Sequence, residues 1–571
     1  MTDVSPVFHC LSDGALLVTF SDTVSVEVND LVLRISRAVE AAAVPGIGEV
    51  QPAYSSLCVH IDQAAVRPSW VKGLVGQVIS RITSEITSGA CAGKSQEPSS
   101  PDCSPDGGPP AGRRLIEIPV VYGGDKGPDL ESSAKELGIS QDELIRRHAE
   151  RDYRVYMVGF TPGFPYLGGM DESIALPRLA KPRARVPAGS VGIGGNQTGV
   201  YPWETPGGWR ILGRTATSLF DPEKDDPSLL HPGDTVRFVP VDRHLDTSVL
   251  AETHLAAGEA SAPAPSGGQI GDRAALSGSV KPRVPALLVE HPGFFSTVVD
   301  QGRPGFRKLG VPVSGAADLT SYRRANLLAG NAKGEAAVEM TLLGAKFRAV
   351  MDCVVAYTGA RARLTLDGFE APMDSPLQMK AGSFLEIGSF TSGCRGYLAV
   401  SGGIDVPLVL GSRSTYIRGG FGGYQGRALR AGDVLPAGPA PCSPRSGIPP
   451  IPSITPCLDE PCLVLRVRSG PEGEPHLLDA LLSGEYTVNP ESDRMGLRLT
   501  GPEIPVGKGD ILSSAVVPGV IEVPADGKPL LLLCDCQTTG GYKRIAVVVR
   551  EDLPLAGQLR PGARLRFVRA T

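Results

Sequence analysis

Apolar positions in residues 1–87 follow two alternating periods. ALLVTF (15–20) and SLCVHI (56–61) read as strands, whereas VNDLVLRISRAVEAA (28–42) places Val28, Leu31, Val32, Ile35 and Val39 at helical spacing, and VKGLVGQVISRITSEI (71–86) is amphipathic in the same way. The order strand, helix, strand, helix predicts a small α+β unit. One long helix is expected over 129–149, followed by strand-and-turn sequence from Tyr153 to Val239. Further on, Tyr322–Ala329 reads as a helix within alternating sequence, and a short helix near 475–483 precedes more strands. Three stretches rich in Ser, Pro, Gly and Ala, at 88–113, 255–285 and 438–459, carry too few core-forming side chains to offset the entropy of ordering and read as linkers. They divide the chain into blocks of about 1–87, 114–243, 286–437 and 460–571.

The second and fourth blocks echo each other. VPAGSVGI, Gln197-Thr198-Gly199-Val200-Tyr201, ILGRTATSLF and LHPGDTVRFV appear in one; VVPGVIEV, Gln537-Thr538-Thr539-Gly540-Gly541-Tyr542, IAVVV and LRPGARLRFV appear in the same order in the other. This predicts two domains on one β-barrel plan, related by duplication.

Composition sharpens the class. The 571 residues include 70 Gly and 51 Pro but only 5% aromatics, which favours β-rich barrels with tight turns over long helices. With 56 basic and 61 acidic residues intermixed, a net charge of −5 gives no electrostatic footprint for nucleic acid or an anionic membrane. No apolar run approaches the roughly 18 residues that suggest a membrane helix, and MTDVSPVFHC lacks the basic and apolar regions of a signal peptide, so a cytoplasmic location is expected. The 11 cysteines show neither zinc-site nor disulfide spacing, the eight histidines are isolated, and no metal is expected. GACAGKS (89–95) imitates a phosphate-binding loop, but has three residues between its glycines where four are needed and runs into a linker.

Candidate chemistry sits on loops. Gly159–Gly169 (GFTPGFPYLGG) alternates rigid Pro, permissive Gly and aromatic faces, suited either to a wall against a ligand or to a plain turn cluster. Gln197, Thr198 and Tyr201, like Gln537, Thr538 and Tyr542, offer neutral donors and acceptors beside glycine, which suits a small amide or ureido substrate. Asp535 and Arg494 are candidates for proton transfer and charge stabilisation, or equally a surface ion pair. Arg303 and Arg413 could fork onto a phosphate or carboxylate. Asp318 reads as a helix N-cap.

Several of these segments carry a family resemblance. GFTPGFPYLGG, RVPAGSVGIGGNQTGVYP and TPGGWRILGRT resemble the first member of the pair historically called allophanate hydrolase subunits. STVVDQGRPGFRKLGVPVSGAADL, GGIDVPLVLGSRSTY, SDRMGLRLTGP and CQTTGGY resemble the second, and DGALLVTFSD and PAYSSLCVHID extend the likeness to the first block. The chain looks like a fusion of both. The resemblance implies cyclophilin-like β-barrels, so the expected fold is β-rich α+β and multidomain, with a small N-terminal α+β domain. One branch resembles the B and C components of ATP-dependent 5-oxoprolinase, which with a separate A component opens the lactam of 5-oxoproline to glutamate. That branch implies ATP with Mg as cofactor, the 5-oxoprolinase A component and a small amide as partners, and leaves a homo-oligomer open. In it the chain would bind 5-oxoproline and ATP, activate the lactam carbonyl by phosphorylation and pass it to the A component; Gln537, Thr538 and Tyr542 would orient the lactam, Arg494 would meet developing charge and Asp535 would handle a proton. Another branch is the biotin-dependent carboxyltransferase region of urea carboxylase. Covalent biotin is not expected on this chain, because the one near match to its attachment motif, Met379-Lys380-Ala381, lacks the second methionine. A third reading is a non-catalytic inhibitor of a histidine kinase, as one family member is.

Overall fold

The computed structural model describes residues 6–87, 114–242, 283–439, 453, 459–507 and 511–570. The GACAGKS segment and most of the three linker stretches lie outside the described residues.

The N-terminal unit is a four-stranded antiparallel sheet in the order Val7–Ser12, Ala15–Thr19, Ser56–Ile61, Ile47–Pro52. Helices Val26–Ala41 and Pro68–Thr87 pack their apolar stripes on it, and Ser25 caps the first by accepting from the Val28 amide at 3.1 Å. Two strands are additional to the pattern. VFHCLS and IGEVQP are the sheet's edges, and in the second the residues that break the apolar alternation, Glu49 and Gln51, are buried because they bond to other parts of the chain. The helix expected over 129–149 is two, Leu130–Leu137 and Gln141–Ala149. Gly138 ends the first with φ 70°, and Ser140 caps the second through the Glu143 amide.

Next come two closed barrels of seven strands. The first contains Leu115–Tyr122, Asp152–Val158, Pro165–Gly168, Ser190–Gly194, Gln197–Val200, Arg210–Arg214 and Thr235–Pro240; the second contains Leu463–Ser469, Glu485–Val488, Gly496–Thr500, Val520–Val523, Leu530–Leu532, Lys543–Val548 and Arg564–Arg569. Numbered along the chain within each barrel, both close in the order 1-6-4-5-3-2-7, and in both the first and last strands pair in parallel. Each carries a two-stranded flap at the same place in this order, Arg183–Val186 with Thr205–Gly207 and Ser514–Ala515 with Thr539–Gly540. The fourth and sixth strands slip register by one residue in both, skipping Leu212 in one and Ile545 in the other.

This topology corrects one part of the sequence echo. Gln197–Val200 is a barrel strand whose counterpart is Leu530–Leu532, so Gln197-Thr198 and Gln537-Thr538 are not equivalent. The counterpart of Thr538-Thr539-Gly540-Gly541-Tyr542 is Thr205-Pro206-Gly207-Gly208-Trp209, the segment that enters the sixth strand of the first barrel.

Between the barrels in sequence lies a nine-stranded sheet built on the long hairpin Cys353–Leu366 and Phe384–Val400, with its own apolar core. Its helix Leu319–Leu328 is N-capped by Asp318, which accepts from the Ser321 amide at 2.9 Å. The GFTPGFPYLGG segment, a turn leading into the strand Pro165–Gly168, joins the parts: the Gly163 amide donates to Leu309 O at 2.9 Å, and a Cβ on Gly159 would lie 2.6 Å from Thr539. Among the described residues no helix is long and apolar enough to cross a membrane.

Candidate functional site

The loop after Leu530–Leu532 is pinned by all three of its neighbours. Gln51 Nε2 of the N-terminal sheet donates to Thr538 O at 2.9 Å, and Gln51 Oε1 faces His60 Nε2 at 3.1 Å. Burial drives the His60 pKa well below its ordinary value, so this imidazole is neutral. From the first barrel, Tyr166 hydroxyl meets Thr539 Oγ1 at 3.2 Å, its ring packs edge-on to Tyr54, and Tyr54 hydroxyl accepts from Gln197 Nε2 at 2.7 Å. The two Gln-Thr segments therefore approach the same tyrosine pair although they hold different positions in their barrels.

Under the loop lies Glu522, the residue that sequence reasoning missed. It belongs to the fourth strand, where Ile521 and Val523 point into the barrel, so its side chain projects outward beneath Gly540 and is fully buried there. A Cβ on Gly540 would land on Glu522 Oε1, so only glycine allows the loop this close. Oε2 accepts from Gln537 Nε2 at 3.1 Å; Oε1 has no hydrogen-bond partner among the described residues, and neither has the buried Thr538 Oγ1. Arg544 is in direct cross-strand register with Glu522, yet its guanidinium is spent on Glu472, Ser514 Oγ and Ala515 O. Burial raises the Glu522 pKa to about 7. The signal in the sequence was the lone acid in VVPGVIEV.

A consequence can be measured. Folded Glu522 keeps its proton to about pH 7, whereas in the unfolded chain it ionises near its ordinary value of 4.5. The folded state thus binds the extra proton, and stability should fall as pH rises through this window by about 3 kcal/mol in all. Thermal unfolding of Glu522→Gln across pH 4–8 should lack that component.

The second polar cluster joins this barrel to the nine-stranded sheet. Arg494 forks onto Asp535 at 2.8 and 3.1 Å, donates to Gly315 O at 2.8 Å and pairs through Nη1 with Glu339, so all three of its nitrogens are engaged. Both Asp535 and Arg494 are buried. Burial alone would lower the Arg494 pKa, but Asp535, Cys534 and Glu339 hold it well above its usual range. Glu339 Oε2 also accepts from Tyr397 hydroxyl at 2.8 Å and the Ala317 amide at 3.0 Å.

The remaining candidates are spread. Tyr542 is 40% exposed at the loop's end. Thr198 is buried in the first barrel, donating to Gly192 O and facing His148 Nε2 at 2.8 Å. Tyr201 is buried in an aromatic cluster with Phe164 and Trp209. Arg413 binds Asp405 at 2.7 Å and Val406 O at 2.9 Å. Arg303 is fully buried against Phe421, with Nη2 on Ser414 O and its Nε and Nη1 without hydrogen-bond partners among the described residues; burial brings its pKa down to about 10. A nucleoside triphosphate needs converging, reachable donors for its phosphates, and this enclosed guanidinium does not fit one. Among the described residues no group of three or more His, Cys, Asp or Glu could hold a metal ion.

Two family models match, the carboxyltransferase domain subdomains A and B over residues 309–569 and subdomains C and D over residues 6–230. The chain belongs to this carboxyltransferase-domain family, and its two matched parts lie on one polypeptide. It is 42% identical to the B component of 5-oxoprolinase from Bacillus subtilis (strain 168) over 229 residues, 40% of this chain and 90% of that protein. Identity to the C component of 5-oxoprolinase from Escherichia coli (strain K12) is 37% over 291 residues, 50% of this chain and 91% of that one. Urea amidolyase of Saccharomyces cerevisiae (strain ATCC 204508 / S288c) is 37% identical over 306 residues, which are 50% of this chain but 16% of the yeast protein. The crystal structure of the protein TTHA0988 matches with a TM-score of 0.77 at 34% identity, covering 97% of this chain and 99% of that one.

Proposed function

We propose that this chain is the fused B and C component of an ATP-dependent 5-oxoprolinase, which binds 5-oxoproline and, with a separate A component, opens its lactam to glutamate. The observation that carries the reading is that relatives named as these two components are each matched over about nine-tenths of their own length. The domains at 1–87, 114–243, 286–437 and 460–571 belong to the same reading.

In this scheme the lactam sits at the Gln537–Tyr542 loop. Gln537, Thr538 and Tyr542 supply neutral groups for its N–H and carbonyl, which can be matched without burying a net charge. Asp535 and Arg494 fix the root of the loop through their mutual fork. ATP dependence belongs to the assembled complex. The chain combined with the A component should hydrolyse ATP only when 5-oxoproline is present; no such dependence overturns the assignment.

The carboxyltransferase-domain match and the urea amidolyase relatives favour a second reading, carboxyl transfer to urea or a related amide. It predicts a biotin-bearing partner and turnover that avidin blocks.

A further inference from the structure

The duplicated barrel provides an internal control for Glu522. Strand register makes Gly192 its counterpart and Ile211 the counterpart of Arg544. Under the first barrel's flap the corresponding space is an apolar cluster of Phe164, Val186, Tyr201, Trp209 and Ile211. Trp209 is only 7% exposed and lies across Gly194, whereas its counterpart Tyr542 is 40% exposed. One copy of this space is filled with hydrocarbon; the other holds a buried carboxyl whose cross-strand arginine is engaged elsewhere. Burying an unpaired acid costs stability, and the first barrel shows that the architecture closes without one.

We propose that Glu522 is a catalytic residue, the base that takes the N–H proton from an amide substrate bound at the Gln537–Gly541 loop. The inference rests on the amide reading above and extends it, because an N–H conjugated to a carbonyl is common to a lactam and to urea. In the step the N–H bond breaks and the proton forms an O–H bond on Glu522 Oε1. The electron pair stays on the N–C–O unit, leaving an imidate, the nucleophile that later activation requires. Substrate reaches Oε1 by displacing Gly540 and Gly541, both partly exposed and without side chains in the way. Gln537 Nε2 holds Oε2 at 3.1 Å and so aims Oε1 at the incoming N–H. The charged and titratable groups around Glu522 are Arg544 and Glu472, with His9 beside those two, and Tyr166 and Cys536. Burial places the Glu522 pKa near 7, where a base both is available and retains proton affinity.

The test is the pH dependence of turnover of the full chain with the 5-oxoprolinase A component, for wild type, Glu522→Gln and Glu522→Asp. Wild-type kcat should rise through pH 7 to a plateau. Glu522→Gln should lower plateau kcat by about 10²-fold or more, with KM changed less than about threefold and the rise abolished; Glu522→Asp should keep a rise at reduced kcat, and serves alone if the Gln variant does not fold. Wild-type-like kcat and pH profile in Glu522→Gln, or in Glu522→Asp if it stands alone, overturns the role of Glu522 and leaves the amide reading intact. A wild type inactive on 5-oxoproline with the A component, and on urea with a biotin-bearing carboxylase partner, overturns the amide reading and this step with it.

Discussion

Arg494→Met is expected to destabilise the protein by about 3–5 kcal/mol, the range for breaking a buried ion pair by removing one partner. Asp535 would stay buried without the arginine it forks with, Glu339 would keep only Arg395 at 3.7 Å, and Gly315 O would lose its donor. Denaturant unfolding of the full chain reads this directly. The same substitution placed in an Asp535→Asn, Glu339→Gln background should cost much less, because the unpaired charges are then gone. A loss of less than about 1 kcal/mol in the single variant would mean that Arg494 is not the lock between the second barrel and the nine-stranded sheet.

Gly540→Ala is expected to separate function from folding. Its Cβ would occupy the position of Glu522 Oε1, so the loop or the acid must move, and a displacement near 1 Å in a reacting group costs about 10²-fold in rate. The matching change in the first barrel, Gly207→Ala, would bring a Cβ within 2.6 Å of the Tyr201 hydroxyl in an apolar cluster. That variant should lose stability and keep the kcat of its folded fraction. Steady-state kinetics alongside thermal unfolding distinguishes the two; equal kinetic effects from both glycines would contradict a site specific to the second barrel.

The periods of apolar residues were enough to reveal the helices Val26–Ala41 and Pro475–Ser483, because amphipathic helices write their burial into local spacing, and the repeated order of motifs was enough to expect two barrels on one plan. They were not enough for strands whose polar residues serve distant partners. IGEVQP hides as a strand because Glu49 answers Lys308 and Gln51 answers Thr538. The shared Gln-Thr drew the two barrels out of alignment, whereas the Gly-Gly-aromatic ending of TPGGW and TTGGY marks the true match. The polar loop at Gln537 and Thr538 was visible in the sequence. Glu522 was not, since a single acid in a strand reads as surface until the fold places a flap over it.

A crystal structure of the full chain with 5-oxoproline bound tests the site itself. The lactam is expected between Gln537 and Glu522, its ring nitrogen within hydrogen-bond distance of Glu522 Oε1, with Gly540 and Gly541 shifted. A lactam seated at the 204–209 segment of the first barrel, with Glu522 still enclosed, would contradict a substrate site on the second barrel.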